Sequence, residues 1–313
     1  MFSNFVVAVS AVIPIFVLIG IGLFVKHAKL MTPEELKHTN RMVFRVFFFC
    51  MMFANIYRAD FEDGFDPSLV VFGMTAVTLL FLASMAFAVW FEKDNRKRGS
   101  IAQAIFRSNF VILGIPIVVN IFGEEAALIP TMMIAAIVPL YNIFAVFELE
   151  MFRGGKFQLI PILIRVLKNP MIDGIILGAL CRLLPFPIPD PILKPIAQVG
   201  AATTPVALII LGASFEKGGI ADSRRDLWAS TIARLIVAPA IMLTAAALLG
   251  FRGAEFVTLI AIFATPCAVA SYAMAQQMGA DAALAGNCVV FTSALSAFTM
   301  FGWVFVTKTL GLF

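Results

Sequence analysis

The stretch Ser100-IAQAIFRSNFVILGIPIVVNIF-Gly123 is apolar over a length that would cross a lipid bilayer, yet Gly114-Ile115-Pro116 interrupts it. A second stretch, Glu255-FVTLIAIFATPCAVASYAMAQ-Gln277, carries Thr265-Pro266 near its middle. A helix in hydrocarbon must pair its backbone N–H and C=O groups internally, because lipid offers no partner. Proline removes a donor and clashes with the preceding turn. Each break therefore predicts a place where protein groups or water surround the backbone. Pro116 and Pro266 are 150 residues apart in a chain of 313. One proline alone reads first as a kink, since membrane helices often contain proline. Two breaks in corresponding segments, both flanked by small or polar residues, read instead as the way a membrane carrier builds its substrate site at the bilayer midplane.

Composition places these stretches in a polytopic membrane protein. The chain is 61% hydrophobic and only 13% charged, with a mean hydropathy of +0.97, whereas a soluble domain is about half apolar and a quarter charged. A net charge of +4 gives no reason to expect nucleic acid as a partner. The four cysteines, Cys50, Cys181, Cys267 and Cys288, form no CxxC or Cys/His pair, so neither a metal site nor a disulfide framework is expected. The first apolar stretch has no basic segment before it and a basic loop after it, which reads as a span rather than a cleaved signal.

Segments long enough to cross about 30 Å of hydrocarbon fall near 5–25, 42–57, 69–91, 101–122, 126–149, 169–184, 191–214, 227–250, 254–278 and 282–307. Fifteen Lys and Arg residues lie in the loops Lys26–Arg41, Lys93–Arg98, Arg153–Lys168 and Lys217–Arg225, against five on the other side (Arg58, Arg182, Lys194, Arg252 and Lys308). The positive-inside rule puts the basic loops in the cytoplasm and both termini outside the cytoplasmic membrane. Ten spans divide into two sets of five, and an odd number forces the second set upside down. The expected fold is therefore all-α, with ten transmembrane helices in two inverted five-helix repeats, 1–151 and 169–313, joined by a cytoplasmic loop at 152–168. Helices 4 and 9 are the broken ones. Ile13-Pro14 followed by Gly20 resembles Asn169-Pro170 followed by Gly178 in the corresponding sixth span.

The breaks define the candidate site. Pro116 is expected at the first position of a new half-helix and Thr265 at an N-cap. Two half-helix N-termini would then direct unpaired N–H groups and the positive ends of their dipoles at one point, which favours a carboxylate. The candidate substrate-binding residues are Asn109, Gly114, Ile115, Pro116, Thr265, Pro266, Cys267 and Ser271. Arg107, Asp173 and Arg234 are charged residues in apolar surroundings and candidate charge partners. Arg107 either attracts the anion or snorkels to the cytoplasmic surface. Asn120, Asn142, Tyr272, Gln276 and Asn287 either line a cavity or serve as interhelical glue, worth about 0.6 kcal/mol each.

The strings Asn109-FVILGI-Pro116, Phe122-Gly123 and Ala264-TPCAVASYAMAQQMGA-Asp281 resemble the auxin efflux carrier family, which includes plant PIN-type carriers and bacterial malate or malonate carriers. Lys168-Asn169-Pro170 and Thr204-PVALIILGA-Ser214 resemble further blocks of the same family. The resemblance spans the chain without the large hydrophilic insert of the plant carriers, and so favours the bacterial branch. It implies a scaffold of helices 1, 2, 6 and 7 that forms a homodimer, and a mobile transport bundle of helices 3–5 and 8–10 that moves as an elevator. It also implies that Asn109 is the crossover asparagine of the fourth helix. At the second crossover this chain has Thr265 where the plant branch has asparagine, which argues against indole-acetate as substrate.

The expected function is secondary transport of a small mono- or dicarboxylate. No GxxxxGK[ST] occurs, so transport driven by ATP would need another chain. No cofactor or metal is expected, and Na+ or H+ remains open as a coupling ion. A cation antiporter or symporter of the same architecture is the alternative; it would want an Asp or Glu beside the breaks, and none lies within several residues. A membrane enzyme would want a cluster of His and acidic residues at membrane depth, but His27 and His38 both lie in the first basic loop. A non-transporting receptor is the remaining alternative.

Overall fold

The computed structural model describes residues 2–58, 67–153, 159–184, 187–215 and 223–313; Lys156 and Lys217 of the basic loops lie outside them. The described residues are helical throughout their regular structure, and their single β-type pairing is an isolated bridge between Ser108 and Cys267. Five helical segments are long and apolar enough to cross a membrane: 67–91, 124–152, 190–214, 224–248 and 282–309. Together with the apolar shorter helices they make this a multi-pass membrane protein.

Helix α1 is Phe2–His27. Helix α2, Pro33–Met42, passes through a widened π turn at Val43–Phe47 into α3, Phe48–Tyr57. The sequence places the start of this segment near residue 42. The helix begins at Pro33 instead, because Thr32 and Glu35 cap it reciprocally and proline occupies its first turn. Next come α4 (Pro67–Phe91), α5 (Asn95–Phe106), α6 (Phe110–Phe122) and α7 (Leu128–Phe152). The joining segment expected to be loop contains a short helix, α8 (Leu159–Leu167), whose Arg165 pairs with Glu150 of α7 at 2.6 Å.

The second half of the chain holds α9 (Pro170–Arg182), α10 (Asp190–Ala201) and α11 (Thr203–Ser214). Helix α12 (Arg224–Ile232) continues through a second π turn, Ala233–Val237, into α13 (Ala238–Leu248). The last three helices are α14 (Gly253–Ala264), α15 (Ala270–Met278) and α16 (Ala282–Thr309).

Small residues bring one group of helices into backbone contact. A Cβ on Gly22 of α1 or Gly212 of α11 would collide with the facing helix at the Ile209 or Ile19 carbonyl. A Cβ on Gly174 or Gly178 of α9 would lie 2.6 Å and 2.8 Å from the Phe49 and Phe53 carbonyl oxygens of α3. In lipid, where helices gain nothing by hiding apolar surface from one another, such close packing is what holds them together.

The two half-helices that lead to the breaks are enclosed differently. Every residue of α5 from Gly99 to Phe106 is buried, and so is every residue of α14 from Phe256 to Ala264. Helix α14 is apolar on nearly every side, as an enclosed helix should be, whereas α5 carries Ser100 and Gln103 into the interior. Burial there lets the chain leave the helix without turning an unpaired backbone group toward lipid.

Candidate functional site

Helix α5 ends at Phe106 and α6 begins at Phe110, so the first break is Arg107-Ser108-Asn109. The expectation that it lies at Gly114-Ile115-Pro116 is corrected: Pro116 sits inside α6. A proline at that depth in a helix leaves one carbonyl four residues earlier without its donor, but it does not end the helix here. The second break, Thr265 to Val269, contains Pro266 as expected. Thr265, however, follows the end of α14 as its C-cap, in extended conformation, rather than capping the start of α15. Its position is fixed from the carbonyl side.

The two breaks cross and pair. The Asn109 N–H donates to the Pro266 carbonyl at 2.8 Å, beside the Ser108–Cys267 bridge. The Cys267 N–H donates to Thr292 Oγ1 of α16 at 3.1 Å. These long-range contacts satisfy backbone groups that neither helix can pair locally, and they bring the starts of α6 and α15 to one point.

Arg234, from the π turn of α12, closes the other ends. Its Nε donates to the Thr265 carbonyl at 2.8 Å and its Nη2 to that of Ile262 at 3.0 Å. Its Nη1 reaches the carbonyls of Ile105 and Phe106 at 3.1 and 3.4 Å. The side chain is fully buried. One guanidinium thus caps the C-terminal ends of both α5 and α14, where unpaired carbonyls and the negative ends of the helix dipoles collect. The expected charge partner for Arg234 is therefore a set of backbone carbonyls. Asp173 is elsewhere: it is exposed in the first turn of α9, whose N-cap is Asn169.

Arg107 also lies at the crossover. It is 3% exposed and so does not snorkel. Its Nη2 donates to Asn142 Oδ1 at 2.8 Å and its Nη1 to Gln103 Oε1 at 3.2 Å, while Nε has no partner. Asn142 in turn donates to the Val138 carbonyl of its own helix at 2.8 Å. Ser108 Oγ lies 3.2 Å from the Tyr141 hydroxyl.

A chamber of about 60 Å³ lies against these residues, lined by Arg107, Ser108, Asn109, Tyr141, Asn142 and Asn55, with Ala268, Val269 and Ala270 from the second break. Asn109 Nδ2 is buried without a hydrogen-bond partner. The chamber shares Met51, Asn55, Val111 and Thr204 with a vestibule of about 440 Å³ that reaches Arg58. A cavity of about 540 Å³ lined by Lys26, Lys29, Gln276 and Asn287 shares no lining residue with the chamber. The chamber therefore adjoins the vestibule on the Arg58 side.

Of the sequence candidates, Arg107, Asn109 and Asn142 line the chamber, while Tyr272, Gln276 and Asn287 line the 540 Å³ cavity. Pro266, Cys267 and Thr265 hold the crossing strands behind it, through the Pro266 carbonyl, the Cys267 N–H and the Thr265 carbonyl. Ser271 is buried in the first turn of α15. Gly114, Ile115 and Pro116 lie in the body of α6, away from the chamber lining. Asn55, Tyr141 and Thr204 also line the chamber; their side chains are not marked as site residues by the sequence, because scattered polar residues in membrane helices commonly serve as interhelical contacts.

Two discontinuous helices cross inside the buried bundle of this multi-pass membrane protein, with a polar chamber at the crossing. The chain belongs to the membrane transport protein family, whose sequence model matches residues 7–304. It is 24% identical over 302 residues to an uncharacterized transporter of Methanothermobacter thermautotrophicus, covering 96% of this chain and 98% of that one. It is 23% identical over 315 residues to an uncharacterized transporter of Methanocaldococcus jannaschii, covering 95% and 99%.

Proposed function

We propose that this transporter is a secondary carrier of small organic anions, mono- or dicarboxylates of the size of malate or malonate. The observation that carries the reading is the chamber itself: two helix N-termini, one free carboxamide and one buried guanidinium converge on it. Helix N-termini favour anions through their unpaired N–H groups and dipoles, and guanidinium is well shaped for carboxylate. A chamber of about 60 Å³ has the volume of about two water molecules. It fits a carboxylate group, with the rest of the substrate in the adjoining vestibule.

The transport cycle follows from the resemblance to the auxin efflux carriers. Ten helices form two inverted repeats; the glycine-packed helices α1, α3, α9, α10 and α11 belong to a static scaffold that pairs with a second copy. The bundle carrying both breaks moves past the scaffold, exposing the chamber first on one side and then on the other. The basic loops are cytoplasmic and both termini lie outside the cytoplasmic membrane, in keeping with the excess of Lys and Arg in those loops. The alternative of a cation antiporter is less favoured, because no carboxylate lines the chamber.

The test is uptake by proteoliposomes of labelled malonate, malate, acetate and indole-acetate, with Asn109→Ala as the control. Saturable uptake of a small carboxylate is expected, and its affinity should fall by about 1–3 kcal/mol in the variant, as for a lost hydrogen bond to a charged group. Absence of uptake across the panel, or an unchanged affinity in a folded Asn109→Ala protein, would contradict the assignment.

A further inference from the structure

Glu148 of α7 is fully buried, and neither of its carboxyl oxygens has a hydrogen-bond partner. No feature of the chamber requires an acid there, since Glu148 is not among the residues that line it. It lies across from α5: a Cβ on Gly99 would be 3.6 Å from Glu148 Oε1. Gly99 and Gln103 share one face of α5, and Arg107, its C-cap, follows them at the same four-residue spacing. That row begins beside Glu148 and ends, about 12 Å further along the helix, at the crossover. Gln103 Nε2 and Arg107 Nε are buried donors without acceptors, and the two Glu148 oxygens are acceptors without donors. Unused donors and acceptors of matching type stand on facing helices.

The other ionisable groups around α7 are engaged or distant. Helices α4 and α6 contain none. Glu150 pairs with Arg153 and Arg165. On α5, Lys97 pairs with Asp226, Arg98 binds Asn95 and the Glu92 carbonyl, and Arg96 is exposed in the first turn. Asp281, next to the Ala280 that also approaches Gly99, accepts the Leu284 N–H as the cap of α16. Asp173 of α9 is exposed, Glu255 opens α14 at the far end of the bundle, and Tyr272 of α15 takes a hydrogen bond from Gln276. Cys50 and Tyr57 belong to α3, and Cys181 and Arg182 to the far end of α9. Arg107 is the cation at the end of the row that Glu148 faces.

Burying an ionised carboxylate without donors costs several kcal/mol, whereas a neutral acid costs far less. The arrangement described is therefore that of a protonated acid on the same helix row as a cation committed to the chamber. We propose that Glu148 carries a coupling proton, and that the carrier moves a proton together with each carboxylate because Arg107 can serve only one carboxylate at a time. With substrate in the chamber, Arg107 faces the substrate and Glu148 keeps its proton. When the substrate leaves, the Glu148 O–H bond breaks, its proton passes to water, and the resulting carboxylate pairs with Arg107. Rebinding reverses both events, so proton and substrate affinities are linked reciprocally. Ionisable residues at membrane depth are the usual seats of such relays.

The inference rests on the carboxylate reading of the chamber, and two measurements separate their failures. Infrared titration of the substrate-free protein needs no substrate. A protonated-carboxyl C=O band that titrates in wild type, persists in Glu148→Asp and is absent in Glu148→Gln is expected; an unaltered band in Glu148→Gln overturns the proposal whatever the substrate. Malonate binding is then followed with a pH indicator in weak buffer. Uptake of about one proton per malonate is expected in wild type, with affinity falling about tenfold per pH unit above the titration midpoint, as one linked proton requires. Glu148→Gln should bind malonate without proton uptake or pH dependence. Proton uptake equal to wild type in that variant overturns the coupling but leaves the carboxylate reading intact. Failure of wild type to bind any of the carboxylates overturns the carboxylate reading, and the coupling with it.

Discussion

An arginine inside a membrane bundle usually sends the reader looking for an acidic partner, and Arg234 shows why that search can mislead. Its counter-charge is four carbonyl oxygens, drawn from the ends of two helices that are distant in sequence. Replacing it with methionine would keep the volume and strand those carbonyls in a buried setting. The expected loss is on the order of 3–5 kcal/mol, the range for removing one partner of a buried charged network. Arg234→Lys should recover only part of it, because one ammonium cannot span the positions that the guanidinium fork reaches. Thermal unfolding in detergent measures both variants. A methionine variant within about 0.5 kcal/mol of wild type, the scatter of ordinary surface substitutions, would mean that the half-helix ends are held by something else. The sequence marked Arg234 and Arg107 as exceptional because each is a charge in an apolar run. It gave no sign of Asn142 or Gln103 as the acceptors of Arg107, since those contacts join residues on different helices or turn on a rotamer.

At the scale of the helix, the two breaks differ in how much local sequence reveals. Pro266 lies in the second break and its carbonyl receives the Asn109 N–H. Pro116 looks like its counterpart but is carried within α6. The first break is set by its partner: Ser108 and Asn109 leave the helix to pair with Cys267 and Pro266, a contact between residues more than 150 positions apart that no local rule foresees. A difference in behaviour follows. Pro116→Ala returns an N–H to an existing helix and removes a steric clash, so stability should hold or rise and transport should stay near wild type. Pro266→Ala allows α14 to extend through the second break, which would withdraw the α15 N-terminus from the chamber and severely reduce flux at normal expression. Uptake by proteoliposomes, with thermal stability as the folding control, decides between them. Equal loss in both variants would show that the Gly114–Pro116 segment also takes part in transport.

For the whole molecule, hydropathy and loop charge were legible because lipid imposes them on composition. The long apolar helices fall where the apolar runs are, and the basic residues cluster in alternate loops. The start of α2 at Pro33 and the helix within the joining segment were less visible, since both are polar or short stretches beside the long apolar runs. The proposed orientation predicts that a single cysteine placed between Lys93 and Arg98 is protected from an impermeant thiol reagent in intact, right-side-out cells, while one beside Arg58 reacts. The reverse pattern would invert the molecule in the membrane. It would also exchange the sides served by the 440 Å³ vestibule and the 540 Å³ cavity.

The central claim is that a carboxylate occupies the chamber at the crossing of the two breaks. Ala268 lines that chamber and offers a direct probe. In a protein freed of Cys50, Cys181, Cys267 and Cys288, the rate at which a small thiol reagent modifies Ala268→Cys is measured with and without malonate or malate, beside a control cysteine at the exposed Leu249. The account predicts that saturating carboxylate slows modification at position 268 at least severalfold and leaves position 249 unchanged. Equal rates at position 268 with and without every carboxylate tested would contradict it.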